Sequence, residues 1–363
     1  MAVKKAASKL LKKAPTLTNV NLASLCGLLG LAKSGPKPAL TDRFEAGMTQ
    51  PRIQWKNNCA RILSIDMGIK NLAYCIVDVK LESLTQPTIS LQVEKWQRFD
   101  LTKLEGASTV STTENKSALP GQESVPDDIF YPPSLATRAY DLLKNQLLPN
   151  EPSIVLIERQ HFRQANGSAV QEWTIRVNML ESMLWAVLET LNRESGSGKA
   201  LPRFNAFPVA PKAVGQFWVD SSTCQTESTC AEVGKARKKK KIEKKDKIAV
   251  VREWFSADTY VYFIPPRKSE SSMTVNEPIE ITFSKQAERV RNAFCAGARR
   301  KKKLDDSEVT DPDLDMTKKD DLADCFLQAA AWVAWEQNRL KIDNLVKQGV
   351  DRTSLLPTLI TCS

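Results

Sequence analysis

Four carboxylates stand beside apolar core segments, where acidic side chains are candidates for metal-assisted chemistry. Asp66 closes the apolar run RILSID, and Glu158 closes SIVLIE. Asp321 and Asp324 lie three residues apart at the start of a long helical pattern and therefore share a face. Asp320 and Asp324 form an alternative pair four apart, so helical register leaves open whether Asp320 or Asp321 turns toward the others. Carboxylates gathered within a few ångströms repel, and each raises the pKa of its neighbour. Two divalent cations would remove that cost. Magnesium prefers oxygen ligands and keeps some of its waters, which suits carboxylates plus phosphate oxygens. A pair of ions about 4 Å apart activates water and stabilises the leaving 3′ oxygen of a phosphodiester.

Other chemistries have few residues to run on. His161 is the only histidine in 363 residues, so Ser-His-Asp, Cys-His and H-E-x-x-H chemistry would all have to pass through one position. The eight cysteines form no C-x-x-C pair, which argues against zinc ribbons and thioredoxin-like motifs. Several sit in apolar runs, as small buried hydrophobes in a reducing compartment do. Taken singly, an aspartate at a helix start reads as a cap, and a strand-terminal acid as the place where the chain meets water. The four acids together, in these elements and this order, read as one site.

The elements that must carry these acids follow from periodicity. Residues 61–66, 71–79 and 89–99 read as three strands, with a tight turn around Gly68 that lets the chain pass close to metals and phosphate. A helix opens at Pro132 and Pro133 and runs to about Leu148, and residues 153–158 form a fourth strand. A long helix spans about 168–193, a fifth strand lies near 203–209, and IAVVREWF is helical. The last helix runs from about Asp320 to Leu340, with Trp332 and Trp335 in the core or at a dimer interface. This order describes an α/β domain with a mixed five-stranded sheet flanked by helices. It spans residues 58–345 with polar or charged insertions at 102–128, 220–247 and 297–317, and residues 346–363 form a tail.

The net charge of +10 favours a polyanionic partner, nucleic acid first. No apolar run is long enough to cross a bilayer. Residues 1–15 hold five lysines, no acid and helically spaced apolar residues, as in a mitochondrial presequence, a basic DNA-contacting tail or an artificial start. In residues 16–50, Leu22, Leu25, Leu28 and Leu29 suit one helix face, and Leu40 and Phe44 a second helix. The intervening G-L-x-x-S-G-x-K-x-x-L-x-x-R, from Gly30 to Arg43, resembles the SAP motif of DNA-associated proteins, which implies DNA contacts from Lys33, Lys37 and Arg43.

I-D-x-G-x-x-N at 65–71, I-E-R-Q at 157–160 and K-K-D-D-L-A-D at 318–324 resemble the fungal mitochondrial Holliday-junction resolvases. That family includes the yeast cruciform-cutting endonuclease and is related to bacterial RuvC. The resemblance implies an RNase H-like fold, a homodimer, and symmetric paired nicks across four-way junction DNA. It implies two Mg²⁺ per site, with Mn²⁺ as a substitute, and no small-molecule cofactor or membrane. Asp66, Glu158, Asp321 and Asp324 would be the ligands, with Asp320 the uncertain one. The implied location is the mitochondrial matrix, at the nucleoid, with the nucleus as alternative. Alternative activities are cleavage of RNA–DNA hybrids or flaps, or junction binding without catalysis.

Around such a site, Lys70, Lys318 and Lys319 are expected on phosphates, as are Arg159, Gln160 and Arg163, with Phe162 stacking on an unpaired base. His161 is either a proton-transfer helper or incidental. The basic run at 237–241, including Lys238, Lys239 and Lys240, is expected to follow the DNA backbone, with Lys244, Lys245 and Lys247 beside it.

Overall fold

The computed structural model describes residues 17–83, 89–103, 130–160, 171–195, 203–222, 242–256, 260–261, 279–296, 316–351 and 354–355. Two helices come first, α1 (Asn19–Leu28) and α2 (Lys37–Thr49). Three strands follow, β1 (Cys59–Asp66), β2 (Leu72–Leu81) and β3 (Ile89–Phe99). Next come α3 (Pro132–Asp141), β4 (Ile154–Glu158), α4 (Glu172–Glu194), β5 (Asn205–Val209) and α5 (Pro211–Ser222). The chain continues with α6 (Lys244–Ser256), β6 (Tyr260–Val261), β7 (Ile279–Phe283), α7 (Lys285–Cys295) and α8 (Lys319–Lys347).

The strands lie in the order β5-β4-β1-β2-β3-β7-β6. β1, β2 and β3 form an antiparallel meander, while β4 runs parallel to β1 and β5 parallel to β4. The expected five strands are present, and the sheet is wider by two. β7 adds in parallel to the open edge of β3, and the two-residue β6 pairs antiparallel with β7. The five residues of β7, IEITF, carry too short a pattern to be read alone; the unpaired edge of β3 is what makes them a strand.

Both faces of the sheet are covered. Ile62, Cys75, Val77, Leu91, Ile154 and Leu156 pack with residues of α5 to α8. Leu63, Ile65, Tyr74, Ile76, Val155 and Ile157 pack with α3 and α4. Double burial is why β1 and β4 read as continuous apolar runs rather than alternating ones. α8 runs through the larger core, buried on all sides over most of its length from Leu322 to Arg339. It continues to Lys347, beyond the expected end near Leu340, because Ile342, Leu345 and Val346 support the N-terminal helices.

Those helices bury Leu22, Leu25, Leu29, Leu40 and Phe44 with Ile342 in one cluster. Gly30 adopts φ +66° directly against the Trp335 indole, which leaves no room for a Cβ. Trp332 and Trp335 are 4% and 2% exposed, so they are core residues, and the Arg52 guanidinium stacks on both rings at 4.6 and 5.0 Å. Among the described residues, no helix is long and apolar enough to cross a membrane.

Candidate active site

The sheet brings Asp66 and Glu158 together by register. Ile65 pairs with Ile157 in the parallel β1–β4 ladder, so the next residues of the two strands stand side by side at their C-terminal ends. Alternation decides the face: Ile62 and Ser64 of β1 and Leu156 of β4 turn toward α8, and Asp66 and Glu158 share their parity. Beneath them the core is polar by design. Ser64 Oγ donates to the Cys325 carbonyl at 2.8 Å, and Gln328 Nε2 donates to Ser64 Oγ at 3.0 Å and to the Ile65 carbonyl at 3.3 Å. This buried network ties α8 to β1 just before Asp66.

Asp66 is 8% exposed and stands beside Glu158 at the strand ends. Burial first, then the neighbouring Glu158 carboxylate, push the Asp66 carboxyl well above the usual carboxylate range. Asp324 and Asp321 add their charges in the same direction. Burial, then the charge of Asp320, pushes Asp321 up to about 6, against Lys244, Arg98 and Lys318. Burial also pushes Asp324 to about 6, with Lys247 opposing it and Glu158 and Asp320 adding to it. For Asp320 burial acts upward, but the Lys244 hydrogen bond and charge outweigh it and hold the carboxyl below its ordinary value. Asp321 is thus the one whose charge reaches Asp66, while Asp320 is bonded to Lys244.

Such a donor set suits a hard divalent cation. Two acidic residues stand side by side at the strand ends, the charges of Asp321 and Asp324 reach them, and the cost of gathering them is the cost an ion removes. Among the described residues, however, no three His, Cys, Asp or Glu side chains stand close enough together to hold one ion. Asp324 and Asp320 are turned to lysines instead. Lys247 Nζ lies 2.7 Å from Asp324 Oδ1 and 2.8 Å from Oδ2, and Lys244 Nζ bonds Asp320.

The expected DNA contacts fall into three groups. Lys70 and Lys318 are exposed beside the acids, and Arg159 is exposed directly after Glu158, its amide bonded to the Val209 carbonyl. The Gln160 amide donates to Glu181 Oε2 at 3.2 Å. Lys33 and Lys37 are exposed in the N-terminal helical unit, where Arg43 donates to the carbonyls of Ala32 at 2.5 Å and Ser34 at 3.0 Å and so braces the loop. That unit reaches α8 at Trp335, 11 residues beyond Asp324, or about 17 Å along the helix, and continues to Ile342. His161, Phe162, Arg163, Lys238, Lys239 and Lys240 lie outside the described residues.

Two readings need correction. Lys319 is not free for phosphate: its ammonium donates to the carbonyls of Ala293, Phe294 and Ala296 at 3.2, 2.7 and 3.1 Å and closes the end of α7. Lys244 and Lys247 are paired with the acids. The tight turn at Gly68 itself requires glycine, since a Cβ there would stand 2.8 Å from the Asn71 carbonyl oxygen. Sequence reasoning also missed Arg98, which is paired two strands over with Ala73, the partner of Asp66, and bonds Thr317 at 3.3 Å. The available signal was spacing: Lys244 and Lys247 lie three apart on a helix start, as the paired acids do on theirs.

A mixed sheet with two acids closing its central parallel strand pair, faced by the acidic start of a long helix, defines an RNase H-like α/β domain. The chain belongs to the family described as mitochondrial resolvase Ydc2 / RNA splicing MRS1, whose catalytic domain matches residues 62–342. It is 25% identical over 327 residues to the mitochondrial cruciform cutting endonuclease 1 of Schizosaccharomyces pombe, covering 90% of this chain and 95% of that one. The mitochondrial cruciform cutting endonuclease 1 of Saccharomyces cerevisiae is 24% identical over 289 residues, covering 78% and 71%. The crystal structure of the yeast mitochondrial Holliday junction resolvase Ydc2 superposes with a TM-score of 0.53 at 23% identity, over 92% of this chain and all of that one.

Proposed function

We propose that the protein is a structure-selective endonuclease that resolves four-way DNA junctions by paired nicks. The observation that carries the reading is the buried Asp66–Glu158 contact with Asp321 and Asp324 set against it. A protein that only bound DNA would gain nothing from repelling acids beside phosphates. The names of the relatives, cruciform cutting endonucleases and a Holliday junction resolvase, point to the same substrate. The family description also includes an RNA-splicing protein, and the four acids here favour the nuclease side of that pairing.

Asp66, Glu158, Asp321 and Asp324 would hold two Mg²⁺, or Mn²⁺ in their place. Such ions, when bound, would supply an activated water and charge stabilisation for the leaving 3′ oxygen. The chain's own groups do the rest. Ser64 and Gln328 fix the end of β1, so that Asp66 keeps one orientation. Lys70, Arg159 and Lys318, exposed around the acids, neutralise the backbone phosphates of a bound strand. Lys33 and Lys37 extend that track to a duplex arm.

Two opposed strands must be cut, and a homodimer with two-fold symmetry presents one site to each. The names of the relatives support a mitochondrial location, where the reaction would take place at the organelle's DNA, with the nucleus as the alternative.

The test is cleavage of a synthetic four-way junction, a linear duplex and an RNA–DNA hybrid, with and without Mg²⁺. Paired nicks in the junction alone, lost in Asp66→Asn while binding is kept, are the expected result. Hybrid cleavage would assign a different nuclease, and junction binding with no Mg²⁺-dependent nick would overturn catalysis.

A further inference from the structure

Two lysines stand where the nuclease reading requires cations. α6 opens with Lys244 and Lys247 one turn apart, and α8 opens with Asp320 and Asp324 one turn apart, so the two helix starts are matched charge for charge. The pairs differ in depth. Lys247 and Asp324 have side chains only 20% and 24% exposed, and the ammonium reaches both carboxylate oxygens. The Lys244 side chain is 73% exposed. A half-buried pair of this kind is hard to break from one side, because the partner is left as an uncompensated charge. The two ammonium groups also offset part of the repulsion among the acids at the start of α8.

We propose that Lys247, assisted by Lys244, is a built-in counter-ion for the acid cluster, and that divalent metal enters by exchange, with Asp324 passing from the lysine ammonium to the cation. This rests on the metal-dependent nuclease reading. Lys247 is then a positioning residue: it keeps Asp324 on the site side of α8 and tunes how tightly the ion is held. Metal affinity in the protein alone is weakened by the strength of the pair that must be given up.

The exchange is tested with Mg²⁺ alone, titrated calorimetrically into the DNA-free full chain. Lys247→Met should bind Mg²⁺ about tenfold more tightly than wild type, the gain expected from removing a half-buried competing cation. Lys244→Met, an exposed position that does not endanger folding, should give a gain of about threefold. Lys245→Met removes a charge from the same helix that pairs with Glu243 and should stay within about twofold of wild type. Unchanged or weaker Mg²⁺ binding in both Lys247→Met and Lys244→Met would overturn the exchange. An equal gain in Lys245→Met would overturn it too, because the effect would then be the general field. Equal Mg²⁺ binding by wild type and Asp66→Asn would instead show that the metal reading had failed, and the exchange with it.

Discussion

Asp66 and Glu158 end neighbouring parallel strands, one step beyond the Ile65–Ile157 pair, so two acidic residues stand side by side where Asp66 is buried. Burial, together with the charge of Glu158, holds the Asp66 carboxyl well above the usual carboxylate range. The arrangement costs stability in the metal-free protein and is retained at the place where the sheet opens to solvent.

Removing the Asp66 charge should therefore have opposite effects on stability and on activity. In metal-free buffer at pH 7.5, Asp66→Asn should melt a few degrees above wild type, about the shift expected for 1 kcal/mol in a chain of this size. Junction cleavage should vanish. Differential scanning calorimetry beside a nicking assay checks both; a variant that melts below wild type would show that Asp66 stabilises the fold.

The pH dependence has a definite sign. The carboxyls of Asp321 and Asp324 are raised from 3.8 to about 6 in the folded chain, and Asp66 is raised in the same direction. The folded state therefore binds protons more tightly than the unfolded one. Their contribution to stability is fully present below pH 3.8 and is lost as pH rises through about 6. The melting temperature in EDTA should fall across that window, and Mg²⁺ should restore it above pH 6. A profile that stays flat in EDTA would contradict the assignment.

Lys318 and Lys319 are neighbours with different roles. Lys319→Met should destabilise by about 1–3 kcal/mol, the cost of leaving the carbonyls at the end of α7 without their donor. It should leave the salt dependence of junction binding unchanged. Lys318→Met should do the reverse, with no change in melting and a salt slope shallower by about one. Melting curves and a salt titration of junction affinity separate the two.

Gly30→Val should loosen the N-terminal helices from α8. The position has φ +66°, and any side chain would enter the Trp335 ring. The backbone alone costs about 1–2 kcal/mol for a residue with a Cβ. Limited proteolysis should cut the variant between the N-terminal helices and β1, while the wild type resists at the same protease dose. Equal resistance would mean that other contacts, such as Asn338 to the Leu28 carbonyl, hold the unit by themselves.

How much of this was legible in the sequence follows from what kind of signal each feature carries. The strands of β1 to β4 and the helices α4 and α8 were readable because burial imposes a pattern on the residues of the element itself. The four acids were readable because a charge at the end of an apolar run breaks that pattern. The two packed N-terminal helices were readable from leucine spacing around Gly30.

Only the tertiary structure decided the rest. Which of Asp320 and Asp321 meets Lys244 depends on how α8 is rotated in its socket, and Ser64 of β1, bonded to Cys325 and Gln328, and Lys244 of α6 fix that rotation from two separate segments. The same packing takes Lys319 to the end of α7, sends Lys247 to Asp324 rather than to DNA, and gives the edge of β3 a partner in β7. A lysine in a sequence shows only its charge. Which carboxylate or carbonyl it meets depends on residues far away in the chain, and for Lys247 that partner lies 77 residues further on.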